Sequence, residues 1–177
     1  MDAILVVNAG SSSLKFQVFA TGAGGDLDCL VKGQMDGIGT RPRLRAAGPD
    51  KKPLIDQSYP VEKVPDLPAA TQETGDWLRK TQKVNLVAVG HRVVHGGPAY
   101  SRPVRLTADV VAQLERYVSL APLHQPNNLA PIRTLFARRP ELPQVACFDT
   151  AFHRDHGALA DHFAIPEKFY EEGVRRY

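Results

Sequence analysis

Two strand-like runs joined across Gly10, Ser11 and Ser12 constrain the fold of this chain more than any other feature. Ala3-Ile4-Leu5-Val6-Val7 is a continuous apolar run with the length and branching of a buried strand. Beyond the junction, Leu14, Phe16 and Val18 alternate with Lys15, Gln17 and Phe19, the period-2 pattern of a second strand. A tight turn within Asn8–Lys15 gathers backbone N–H groups, the hydroxyls of Ser11, Ser12 and Ser13, and the Lys15 ammonium. These are the donors that a phosphate oxygen takes. The arrangement is strand–turn–strand, not the strand–loop–helix of a Walker loop, and no G-x-x-x-x-G-K-[ST] occurs. An ordinary hairpin accounts for the same residues, because small polar side chains are what turns contain.

The rest of the chain predicts a mixed α/β sheet. A third strand is expected over 27–36, after a glycine-rich turn. From Gly37 to Pro68 the composition shifts to Pro, Gly, Arg and Lys, which predicts a long irregular excursion with weak strand character near Pro53–Tyr59. A helix is expected over 69–81, and Leu86-Val87-Ala88-Val89 reads as a short buried strand. Thr107 caps a helix with Val110, Val111, Leu114, Tyr117 and Val118 on one face. The loop Ala121–Asn128 leads to a helix carrying Ile132, Leu135 and Phe136, stopped by Pro140 and Pro143. Gln144–Phe148 is a further buried strand with Asp149 at its C-terminal end. Function in such sheets gathers at strand ends and switch points.

The chain has 177 residues, 43% apolar and 23% charged, with a net charge of +3, which allows one domain with a real core. The basic residues Arg41, Arg43, Arg45, Lys51 and Lys52 lack interleaved aromatics, which argues against nucleic-acid binding. No apolar run approaches the length of a membrane span or signal segment, so a cytoplasmic protein without membrane partners is expected. Cys29 and Cys147 fit neither a disulfide framework nor a zinc site and are expected to be buried thiols. His91, His95 and His124 lack the helical i, i+4 pairing with a nearby carboxylate that a zinc triad needs.

Three further segments are polar where the preceding run is apolar. Arg92 follows a strand and can clamp a carboxylate or phosphate bidentately, or serve as a structural ion-pair partner. His124 stands between Pro122 and Pro126, aimed by a rigid loop or capping the next helix with Asn127. Asp149 is placed as a base or as an electrostatic partner near a metal-bound phosphate, or as an N-cap, with His153 and His156 in the following turn.

Taken in order, Asn8–Lys15, Gly90-His91-Arg92-Val93-Val94-His95-Gly96-Gly97, Ala121–Asn128 and Phe148-Asp149-Thr150-Ala151-Phe152-His153 resemble the motifs of the acetate kinases. The resemblance covers essentially the whole chain, through Ile165-Pro166 and Arg175-Arg176-Tyr177. It implies a ribonuclease-H-like mixed sheet with flanking helices, one lobe of a two-lobed kinase of the actin, Hsp70 and sugar kinase superfamily. It also implies reversible transfer of the ATP γ-phosphoryl group to acetate, giving acetyl phosphate and ADP with Mg2+. Propionate or butyrate kinases share these motifs, and a non-catalytic acyl-phosphate or nucleotide-binding module is the reading from another class.

By that resemblance Asn8 helps hold the magnesium–phosphate assembly. Ser11, Ser13 and Lys15 contact the nucleotide phosphates, and Ser12 shapes the same phosphate-binding turn. Arg92 pins the acid carboxylate, His124 bonds the phosphoryl oxygens, and Val94 and Leu123 line the small acyl pocket. Asp149 is the essential carboxylate. Acetate is already ionised at neutral pH, since carboxylic acids titrate at about pH 4. Asp149 is therefore expected to organise magnesium and Arg92 rather than to abstract a proton. In the resembled family a Gly-Phe-His-Gly segment, the adenosine-binding loops, a second active-site arginine and a glutamate near the metal follow the point matching Tyr177. None of these occurs here. The expectation is that residues 1–177 are the N-terminal lobe and that 161–177 start the inter-lobe linker. The C-terminal nucleotide lobe then lies outside the sequence, this part alone is weakly active or inactive, and the full-length protein is a homodimer.

Overall fold

Period-2 burial organises the first third of the molecule. The computed structural model describes residues 1–22, 24–154 and 157–177; His156 lies outside the described residues. β1 (Asp2–Ala9), β2 (Ser13–Thr21) and β3 (Leu27–Asp36) form an antiparallel meander. Ala3, Leu5, Val7 and Ala9 are buried on one face of β1 while Val6 on the other is 37% exposed. The expected fully buried strand is thus buried on one side only. The same one-sidedness corrects the reading of the cysteines. Cys147 is exposed because its neighbours Ala146 and Phe148 turn inward, and Cys29 is half-buried.

The stretch expected to be irregular continues the meander as β4 (Arg43–Ala47) and β5 (Pro53–Ser58). Leu44 and Ala46 are buried between exposed Arg43 and Arg45, a strand pattern too short and too charged to stand out in sequence. α1 (Leu67–Thr81) opens on Asp66, whose carboxylate accepts from Ala69 N at 2.9 Å, with Pro68 in the first turn. β6 (Asn85–Val93) is longer than its apolar run, because Gly90, His91 and Arg92 remain in the strand. A two-residue strand, β7 (Val104–Arg105), precedes α2 (Ala108–Arg116). α3 (Gln125–Arg138) begins inside the segment expected as a loop. β8 (Gln144–Phe148) has the expected bounds, and α4 (Ala158–Asp161) and α5 (Glu167–Glu171) are short.

The strands lie in the order β5-β4-β3-β2-β1-β6-β8-β7, with β1, β6 and β8 parallel and β7 antiparallel to β8. α1 and α3 pack on each other and on one face, α1 against β2 and α3 against β1 and β6. One apolar cluster runs from Leu5, Val18 and Met35 to Trp77 and Leu78, and a second joins Val93, Leu114, Ile132 and Phe148. The opposite face of the meander is a groove of about 670 Å3. It is floored by the outward residues of successive strands, among them Val6, Asn8, Lys15, Gln34 and Arg45.

Candidate active site

Parallel β1, β6 and β8 end side by side, and each ending carries a polar residue of the sequence motifs. Arg92, the penultimate residue of β6, projects to the open face. Its Nε donates to Asp149 Oδ1 at 2.9 Å and its Nη2 to Asp149 Oδ2 at 2.5 Å. Nη1 donates to Asn8 Oδ1 at 3.1 Å. A guanidinium forked on a carboxylate is the geometry that lysine cannot supply. Asp149 holds the Arg92 pKa above its ordinary value by hydrogen bonding and charge. The Arg92 and Asp149 side chains are 49% and 41% exposed, so the cluster is open on one side.

Lys15 stands opposite Asn8 in the β1–β2 ladder, and the same line continues through Gln34 and Arg45 to Asp56. Asp36 accepts from Gln34 Nε2 at 2.6 Å and from Arg45 Nη2 at 2.8 Å, which occupies Arg45. Lys15 has no ion-pair partner among the described residues. In the turn, Gly10 N donates to Ser13 O at 2.8 Å and Ile38 N to Ser12 O at 3.1 Å. Ser11 and Ser12 are exposed and Ser13 is half-buried.

Side-chain amides fix the neighbouring segments. Asn128, buried in α3, accepts from Val94 N at 2.8 Å and donates to Ala9 O at 2.8 Å, tying the ends of β6 and β1 to the helix. Buried Gln125 donates to His95 O at 2.9 Å and Leu114 O at 3.3 Å. These two residues set the start of α3, and so the place of His124, which occupies the N-cap position with no side-chain cap bond. His124 is exposed and Leu123 is 77% exposed, and the bonds of Arg92 among the described residues go to Asp149 and Asn8. Asn127 Nδ2 donates to Leu123 O at 2.9 Å. Val94 is half-buried. Gly96 and Gly97 are needed where they stand. A Cβ on Gly96 lies 2.6 Å from Tyr100 O, and Gly97 has φ 58° against the Tyr117 ring.

The histidines of the second motif point inward. His91 is buried against Gln144 and His95 against Tyr177, with ring centroids 4.4 Å apart in the latter pair. Among the described residues no group of three or more His, Cys, Asp or Glu could hold a metal ion. The hard oxygens that meet Arg92 on the open face are Asn8 Oδ1 and the Asp149 carboxylate. Such a set suits magnesium carried by phosphates and water rather than an all-protein cage.

The sequence profile of the acetokinase family matches residues 3–177. The chain belongs to this family. An acetate kinase of Nitrobacter hamburgensis is 65% identical over all of this chain and 44% of its own length. One of Rhizobium meliloti is 60% identical, over all of this chain and 45% of its own length. The chain therefore spans less than half the length of these acetokinase relatives. The crystal structure of Porphyromonas gingivalis acetate kinase superposes with TM-score 0.86 at 30% identity, over all of this chain and 45% of that one. A propionate kinase from Francisella tularensis gives 0.85 at 34%, over all of this chain and 44% of that one. The mixed sheet with flanking helices is thus the acetokinase fold, as the motifs imply.

Proposed function

We propose that this chain is the N-terminal, acid-binding lobe of an acetate kinase. In this reading the whole protein, a cytoplasmic homodimer, moves the γ-phosphoryl group of ATP reversibly to acetate. The observation that carries the reading is the Arg92 fork. Three of its five N–H donors are engaged, by Asp149 and Asn8, and two remain on the terminal nitrogens. Arg92 is thereby held rigid with free donors on the open side, ready for a carboxylate. Asp149 acts as the residue that aims Arg92. No base is required for an acid that is ionised at neutral pH.

Phosphoryl transfer proceeds through a loose state in which catalysis is positioning and charge stabilisation. Attack of a carboxylate on a phosphate brings two anions together. Arg92 and the unpaired Lys15 offset that repulsion, the exposed Ser11 and Ser12 and the half-buried Ser13 offer hydroxyls to the phosphates, and His124 meets the phosphoryl oxygens at the start of α3. Asn8 Oδ1 and Asp149 are the residues that would hold magnesium carried by the nucleotide, and the ion would supply charge neutralisation between the phosphates. Val94, fixed by Asn128, and Leu123 border the acyl group. A propionate kinase is the second reading, favoured by the solved neighbour of that name.

The test is hydroxylamine trapping of acyl phosphate made by the full-length protein from acetate, propionate and butyrate. Acetate-dependent turnover that falls about 10²–10³-fold in Asp149→Asn supports the proposal. Little or no turnover by residues 1–177 alone supports the assignment of the remaining machinery to the other lobe. Preference for propionate selects the second reading, and no turnover with any of the acids overturns both.

A further inference from the structure

The helical face of the sheet holds a second cavity, of about 280 Å3, between α1, α3 and the inner sides of β1 and β2. That volume is near the lower end of small-molecule pockets, about 300–1,000 Å3. Leu5, Val7 and Leu14 form its floor, Leu78 and Leu135 its helical walls, and Leu142 an end. Val7 and Leu14 adjoin Asn8 and Lys15 in sequence but point the other way, so the cavity shares strands with the catalytic groove and opens on the opposite face.

Two residues of α1 keep this space open and polar at one point. Gly75 is a helix-interior glycine, a destabilising choice, and a Cβ built on it meets nothing within 4 Å. Thr74 is 4% exposed and lines the cavity, yet its Oγ1 has no hydrogen-bond partner. The helical hydroxyls of Thr71, Thr81 and Thr134 all return to the carbonyl four residues back, at 2.7, 2.8 and 2.9 Å. A buried hydroxyl left unpaired is costly. The rim is cationic. Arg79 Nη2 lies 2.7 Å from Asp76 Oδ1 and Arg138 Nη2 lies 3.7 Å from the same oxygen. Two guanidiniums thus share one carboxylate and keep unused donors, while Arg139, also at the rim, pairs with Glu141.

We propose that this cavity binds a small amphipathic carboxylate, its alkyl chain between α1 and α3 and its head group at the Arg79–Arg138 rim. The Thr74 hydroxyl is the unpartnered buried polar atom in the cavity lining. A cationic amphiphile of equal length is disfavoured, because the rim carries excess positive charge.

Octanoate is the probe, titrated calorimetrically into the 177-residue chain, with octylamine and acetate as controls. Saturable one-to-one binding of octanoate is expected, weakened at least tenfold in Gly75→Leu, which fills the cavity. Leu135→Phe, entering from the opposite wall, is the second blocking variant should Gly75→Leu not fold. The double variant Arg79→Gln, Arg138→Gln is expected to lose about tenfold in affinity and its preference over octylamine. No saturable binding, binding indifferent to both blocking variants, or equal affinity for octylamine overturns the proposal. None of these readouts depends on phosphoryl transfer, so its failure leaves the proposed kinase activity untouched.

Discussion

Arg92 uses all three of its nitrogens within the lobe, two on Asp149 and one on Asn8. Fold stability gives little reason for this arrangement. Both members of the ion pair are about half exposed, and pairs of that kind contribute about 0–1 kcal/mol. The expected result for Arg92→Lys is therefore a split between activity and stability. A point-charge ammonium keeps the charge but loses the fork, so turnover of the full-length protein falls about 10²-fold while the urea midpoint of the lobe barely moves. A large loss of stability instead would assign Arg92 a structural role. Arg92, Asp149 and Asn8 were legible in the sequence because each sits at the end of an apolar run inside a recognisable motif. Asn128 and Gln125 were not. Asn128 reaches the carbonyl of Ala9 across most of the chain, and no local spacing signals such a bond.

At the level of elements, sequence reading succeeded where periodicity was long and failed where strands were short and charged. Thr107 and the strand at 144–148 were readable from a cap and a compact apolar run. β4 was hidden because its exposed positions are arginine and its inward ones few, whereas β5 showed only as the weak strand character near Pro53–Tyr59. The edge of the sheet depends instead on close approach. Gly33 of β3 faces the buried Phe16 and the β4 backbone, and a Cβ added there lies 2.8 Å from Ala46 Cβ and 2.9 Å from Arg45 O. Gly33→Ala is therefore expected to lower stability by roughly 1–3 kcal/mol through overpacking, although alanine is otherwise the better residue in a regular element. Urea denaturation measures it; an unchanged midpoint would mean that β4 yields without cost.

Across the whole molecule, acid sensitivity follows from what the core excludes. His91 joins β6 to β8 with only 2% of its surface exposed, and Nε2 lies 2.8 Å from Gln144 Oε1 while Nδ1 has no partner. Burial pushes its pKa down to about 4, with the Gln144 bond opposing only in part. Burial lowers the His95 pKa as well. In the unfolded chain a histidine titrates at about 6.5, so between that pH and about 4 the unfolded state binds protons that the folded state refuses. Stability is then full above pH 6.5, falls as the pH drops toward 4, and becomes flat with respect to His91 below that. The interval for His91 corresponds to about 3 kcal/mol. Asp50, Asp56 and Glu141, whose pKa values are lowered by Lys52, Arg43 and Arg139 respectively, lose their contribution only at lower pH, where carboxylates protonate. The two sources therefore separate along the pH axis. Urea midpoints taken from pH 7.5 to 3.5 are expected to decline in the wild type from the histidine range downward. His91→Gln should show a shallower decline over that upper range and an unchanged one below it. An equal slope in both proteins between pH 6.5 and 4 would remove His91 as the source of the acid sensitivity in that range and leave it with His95.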